Sequence, residues 1–430
     1  MSGIDLTGLA FIVVRNIEIE GANAIAYAAG SGIWAIAKGL KGPVPHDITI
    51  SQVTVENCAG DGIHLENAPR SSVTSSLIAH NDNAGIVFYG SIGAFAFDAG
   101  EISNNEVHHN HFTGINIIGC PRGTSCRSQT YPDGVFVTNL KISGNRVHDN
   151  GAGIYLHQAN KSYVGNNVVY ANTDPSRKGE GYCVGLSGSS DNIVEKNECY
   201  QARFAAIEAS IDIGKPASGS SNNLIRYNVI HDDGTHGLFT NYGPSANNQF
   251  SYNLVYNHPN GSCFQANFIG HKFFNNTCYN NRYGIHFYVS KSTPQTGNIS
   301  VKNNLIINSR EQHVLIDDGA TLPDDFQNNQ YFPDDPSKFK FEHKQGSFPS
   351  WQAATGQDSK SFVADPAFAA ANPASPADFS LTAKSPAVGK GTDLGPDFAE
   401  CLSSQAAWPN AVKLTKQSNS WDIGAFQHTH

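Results

Sequence analysis

The sequence predicts an all-β chain, a right-handed parallel β-helix of about ten coils with a loop-rich C-terminal extension. Three observations predict it. An Asn-led motif recurs along the chain, a short glycine-containing strand falls between its copies, and no stretch of 12 or more residues carries a helical period.

The Asn-led motif opens Asn105-Glu-Val-His, Asn145-Arg-Val-His, Asn167-Val-Val-Tyr and Asn197-Glu-Cys-Tyr, and returns at Asn228, Asn253, Asn276 and Asn304. Successive copies lie 40, 22, 30, 31, 25, 23 and 28 residues apart. That spacing fits one solenoid coil, and the long first interval holds an inserted loop around 120–133. The second element reads Asp61-Gly-Ile-His-Leu-Glu, Ala84-Gly-Ile-Val-Phe-Tyr, Thr113-Gly-Ile-Asn-Ile-Ile and Ala152-Gly-Ile-Tyr-Leu-His, with later copies near Ala206, Gly237, Cys263 and Gly284. Its apolar residues alternate with period two, as in a half-buried strand. One coil alone has no core, so each must bury its inward side chains against the next.

The leading asparagines are expected to form a ladder. Asn tolerates left-handed backbone, and amides stacked at one corner can bond from coil to coil. The rings three residues on (His108, His148, Tyr170, Tyr200, His231, Tyr256 and Tyr279) read as an external stack beside that turn. His108, His109 and His111 form a local cluster, but a metal site needs three or four ligands converging on one point, and no metal is assigned from sequence.

Composition excludes several functions. The chain has 430 residues and a formal net charge of −9, which argues against nucleic acid or an anionic membrane as partner. No run of 18 apolar residues is present to span a bilayer. Of eight cysteines, Cys120 and Cys126 close a short loop and are the pair expected to bond. The even count favours an oxidising compartment, secreted or periplasmic, and the opening Met1-Ser-Gly with no other Met reads as a chain from which a leader was removed.

The ladder and strand pattern over residues 1–318 resemble the pectate-lyase-like superfamily of right-handed β-helices. The tail segments Ala364-Asp-Pro-Ala-Phe, Ser385-Pro-Ala-Val-Gly and Asp422-Ile-Gly-Ala-Phe resemble the closing segment of many secreted bacterial members. The resemblance implies a carbohydrate-active protein whose C-terminal part, 319–430, caps the β-helix and packs on it. The superfamily's Ca²⁺-binding Asp cluster and the paired Asp motifs of polygalacturonases have no counterpart here.

Alternation places Trp34, His64, Glu66, Tyr89, Asn116, Tyr155, His157, Glu208, Asp212, Asn241, Gln265, Asn267, His286 and Tyr288 on an outward stripe. Aromatic rings stack on sugar faces while amides, imidazoles and carboxylates bond hydroxyls, so the stripe suits a polysaccharide or oligosaccharide. Glu208, His157, Tyr155 and Asp212 are the catalytic candidates; the others are substrate-binding candidates. Hydrolysis uses paired carboxyl groups and leads, because carboxylates outnumber cations on the stripe. Elimination on a uronate glycan would use Tyr155 and His157, with Ca²⁺ as a cofactor that such a lyase would take. A non-catalytic glycan binder is the third reading.

Overall fold

A computed structural model describes residues 3–24, 30–38, 42–93, 97–126, 129–173, 181–210, 219–240, 245–289, 296–320, 322–417 and 420–428. The chain divides into two compact units, Met1–Ile193 with Tyr200–Ser221, and Val194–Cys199 with Asn222–His430. Both are built from coils of parallel β-structure, as the repeats predict.

In the first unit each coil feeds three parallel sheets. The coil that begins at Ile63–Glu66 continues through Ser72–Thr74 and Leu77–Ala79. The face sheet includes β1 (Ile33–Ala35), β2 (Ile63–Glu66), β3 (Ile86–Gly90), β4 (Thr113–Gly119), β5 (Ala152–His157), β6 (Val184–Ser187) and β7 (Ala205–Ser210). Its register runs Ile33–Ile63–Ile86–Ile115–Ile154–Val184–Ile207 from strand to strand. These side chains are wholly buried, each contributing about 1.5–3 kcal/mol of apolar burial. Val73, Ile102, Ile142 and Val164 from the second sheet, and Ile78, Val107, Val147 and Val169 from the third, complete the core.

The asparagine ladder forms. Asn105 Nδ2 donates to Asn145 Oδ1 at 3.0 Å, and Asn145 Nδ2 donates to Asn167 Oδ1 at 3.0 Å. Each Oδ1 also accepts the backbone N–H of the preceding rung. The left-handed residue at this corner is the one before the ladder Asn: Asn104, Gly144 and Asn166 carry φ near +55 to +69°. A second ladder, not foreseen from sequence, runs Asn81–Asn110–Asn150, with Asn150 N–H donating to Asn172 Oδ1. Its rungs lie five residues after those of the first, beyond the third-sheet strand. The ring column stacks outside: His108–His148, His148–Tyr170 and Tyr170–Tyr200 have centroids 5.0, 4.7 and 4.7 Å apart. Cys120 and Cys126 form the expected disulfide.

In the second unit the face sheet includes β8 (His236–Thr240), β9 (Ser262–Ala266), β10 (Tyr283–Phe287) and β11 (Val314–Ile316). The ladder runs Asn197–Asn228–Asn253–Asn276–Asn304–Asn329. Parallel pairing continues past 318, through Asp325–Gln327, Gln330–Phe332 and Phe362–Val363. A short helix, α1 (Phe348–Thr355), then buries Phe348 and Trp351 against Tyr331 and Phe339. The last segment folds back on the third sheet: Phe379, Leu402 and Phe426 pack on Tyr227, Tyr252 and Tyr256. The described part of that segment therefore packs away from β8–β11. Cys263 and Cys278 also form a disulfide. Among the described residues no helix is long and apolar enough to cross a membrane.

Candidate functional site

With Ile and Val inward, the next residue of every face strand must point out. In the first unit the outward register reads Trp34, His64, Val87, Asn116, Tyr155, Gly185 and Glu208. A parallel register runs Glu66, Tyr89, Ile118, His157 and Ser187. From β2 to β7 this face spans roughly 24 Å at the usual strand spacing.

One end of the face opens into a cavity of about 790 Å³, whose lining includes Asp61, His64, Asp82, Asn83, Tyr89 and Asn116. Asp61 is a cavity residue that alternation along the strands does not pick out. It ends the turn before β2 and points back along the strand, where His64 Nδ1 lies 2.8 Å from its Oδ2. Asn83 Nδ2 and the Ala84 N–H donate to its Oδ1 at 2.7 and 3.0 Å. A carboxylate has about four acceptor positions, so among the described residues one remains open on Oδ2. On the other side of the imidazole, Glu66 Oε2 lies 3.7 Å from His64 Nε2. Glu66 is fully buried and accepts from Ser91 Oγ. Burial alone would push the His64 pKa down; the Asp61 hydrogen bond and the Glu66 carboxylate 3.7 Å away, with their charges, outweigh it and hold it at about 9. His64 is therefore an imidazolium clamped between two carboxylates. Asn116 is 4% exposed, and its Oδ1 has no hydrogen-bond partner among the described residues. Trp34, beside His64 in register, is half-buried.

At the other end, Tyr155 and His157 stand half-exposed on β5, with ring centroids 6.2 Å apart. Gly185 faces Tyr155 on the next strand, and a Cβ there would lie 2.8 Å from the Tyr155 ring. The missing side chain lets that ring lean over β6, where it stacks on Tyr182 at 6.4 Å. Glu208 follows Gly185 in the same register and is 3% exposed. Across β4 to β7 Glu208 is the one carboxylate among the described residues. Ca²⁺ takes six to eight oxygens, so these strands by themselves do not offer it a ligand set. Asp212 and Asn241 lie outside the described residues.

In the second unit Gln265 and His286 are register neighbours on β9 and β10. His286 Nδ1 lies 3.1 Å from Gln265 Oε1, and its Nε2 lies 3.0 Å from Asp317 Oδ1. Burial pulls the Asp317 pKa up, but the His286 hydrogen bond and charge carry it below its usual value. Tyr288 is half-exposed just after β10, its ring 6.0 Å from His286. Asn267, just beyond β9, is wholly buried, and its carbonyl accepts from His271 Nε2 and Thr240 Oγ1.

Residues 2–124 and 92–268 match the family described as "Right handed beta helix region". No curated protein matches the sequence. Among solved structures, the mannuronan C-5 epimerase AlgE4 A-module of Azotobacter vinelandii is 15% identical, with a TM-score of 0.52 over 70% of this chain and 79% of that one. Pectate lyase Pel9A is 13% identical, with a TM-score of 0.51 over 97% of this chain and 98% of the other. At such identities the likeness is one of fold.

Proposed function

The chain belongs to the right-handed β-helix family, and on that premise we propose that it is an extracellular enzyme that hydrolyses a glycosidic bond of an extended polysaccharide. One observation carries the reading: a cavity beside a polar strand face holds a carboxylate fixed by three donors, Asp61, together with an amide oxygen that has no partner among the described residues, that of Asn116. Asp61 is the carboxylate facing the anomeric carbon as positive charge builds there. Asp82, exposed at the same cavity, protonates the leaving oxygen, and water completes the cut. His64 positions Asp61. Asn116 accepts from a sugar hydroxyl, and the sugars beyond it run over Tyr155. The lining of the cavity includes no Lys or Arg among the described residues, and the chain carries −9, which favours a neutral glycan over a polyuronate. The Cys120–Cys126 and Cys263–Cys278 disulfides support an oxidising location.

The test is Asp61→Asn on a glycan that the wild type cleaves. Turnover should fall by about 10²–10⁴-fold while the fold is kept; turnover within a few-fold of wild type removes Asp61 from the mechanism.

A second reading puts the cut at Tyr155, His157 and Glu208, which share one face within three strands. There Tyr155 and His157 would serve elimination on a uronate, or Glu208 would serve as acid. It predicts that Tyr155→Phe or Glu208→Gln, and not Asp61→Asn, abolishes turnover.

A further inference from the structure

We propose that His80, His108 and His109 form a binding site for a divalent transition-metal ion of the zinc, nickel and copper class. The site is separate from the cavity and does not depend on the reading above. His80 and His109 occupy the same corner of successive coils, each with left-handed backbone (φ 56° and 55°), and their rings stack 4.9 Å apart. The His80 N–H donates to the His108 carbonyl, so this alignment is set by the sheet ladder itself. His108 belongs to the ring column, but its register neighbour one coil earlier is Ala79. The column stops there, and that face of His108 is met edge-on by His80 at 5.5 Å.

The three rings converge. His108 Nδ1 and His109 Nδ1 lie 2.9 Å apart, and one ligand nitrogen from each of the three residues falls within 4.8 Å of the others. A tetrahedral ion with metal–nitrogen bonds of about 2.0–2.1 Å holds its ligand nitrogens roughly 3.3 Å apart. Two of the imidazoles already meet at close to that separation, and modest side-chain rotation brings in the third, since His80 is exposed. Imidazole donors without thiolate or carboxylate suit zinc, nickel and copper rather than calcium or magnesium. Three protein ligands leave the fourth position to water. His111, which the sequence grouped with His108 and His109, is not in the cluster; the third ligand comes from the previous coil. Bound there, the ion would tie two coils together.

The experiment uses the full chain without an affinity tag, dialysed against chelator and titrated with zinc chloride by calorimetry. One equivalent should bind and raise the melting temperature, as for any ligand that favours the folded state. His80→Asn and His109→Asn keep a residue that accepts left-handed backbone, so both should fold and melt normally in chelator. Each should weaken zinc binding at least about tenfold, while His111→Asn leaves it unchanged. Absence of stoichiometric uptake by the wild type overturns the proposal, as does uptake that neither substitution weakens.

Discussion

Raising the pH through the neutral range removes the proton that His64 holds between Asp61 and Glu66, and the cost can be worked out. Folding raises this imidazole from 6.5 to about 9. Between those values the folded chain keeps a proton that the unfolded chain has released. Its stabilisation is complete below pH 6.5, declines from 6.5 to 9, and is gone above. At about 1.4 kcal/mol per pH unit, the shift corresponds to roughly 3 kcal/mol. Two buried carboxylates left beside a neutral ring would then repel each other and loosen Asp61. The assay is the melting temperature of wild type and His64→Gln across this window, with the difference taken to cancel other titrating groups. Wild type should lose its advantage as the pH rises. A difference that stays flat from 6.5 to 9, or that grows, refutes the clamped imidazolium.

Other outcomes follow from particular contacts. Asn145→Ala deletes four side-chain hydrogen bonds, to the Asn105 N–H and amide, the Ile102 carbonyl and the Asn167 amide. At about 1 kcal/mol each the loss should be about 4 kcal/mol, and a denaturant midpoint close to wild type would contradict the ladder's role. Replacing Cys263 and Cys278 by Ser opens a loop of sequence separation 15 and should cost about 3 kcal/mol, read as a lower melting temperature. Glu208→Gln should leave turnover within a few-fold of wild type if the cut lies at Asp61; its loss would move the chemistry to the Tyr155 end.

The repeats made the fold legible, because the same physical demand recurs in every coil. Ile63, Ile86, Ile115 and Ile154 must all face the core, so His64, Asn116 and Tyr155 must face out. The corner was read less well. Left-handed backbone falls on Asn104 or Gly144 rather than on the ladder Asn, since the ladder amide needs its backbone in register with the next coil. The second ladder went unread although its spacing was present: Asn110, Asn150 and Asn172 each follow a first-ladder Asn by five. Asp61 was read only as the first residue of a glycine-containing strand copy. Only the fold shows that its carboxylate turns back onto an outward histidine three positions on. His80 was invisible as a partner of His108 because coil-to-coil neighbours lie a full coil apart in sequence. Asn267 follows the alternation of β9 in sequence, yet it lies wholly buried just beyond the strand.

The central claim, hydrolysis of a glycan at Asp61, is tested most directly by digestion of a glycan panel in water enriched in heavy oxygen, with mass spectrometry of the products. The wild type should release oligosaccharides that have each gained one labelled water at the cut, and Asp61→Asn should release almost none. Unlabelled products carrying an unsaturated uronide would show elimination instead. Labelled products formed equally by Asp61→Asn would show that the carboxylate at this cavity is not the one that cuts.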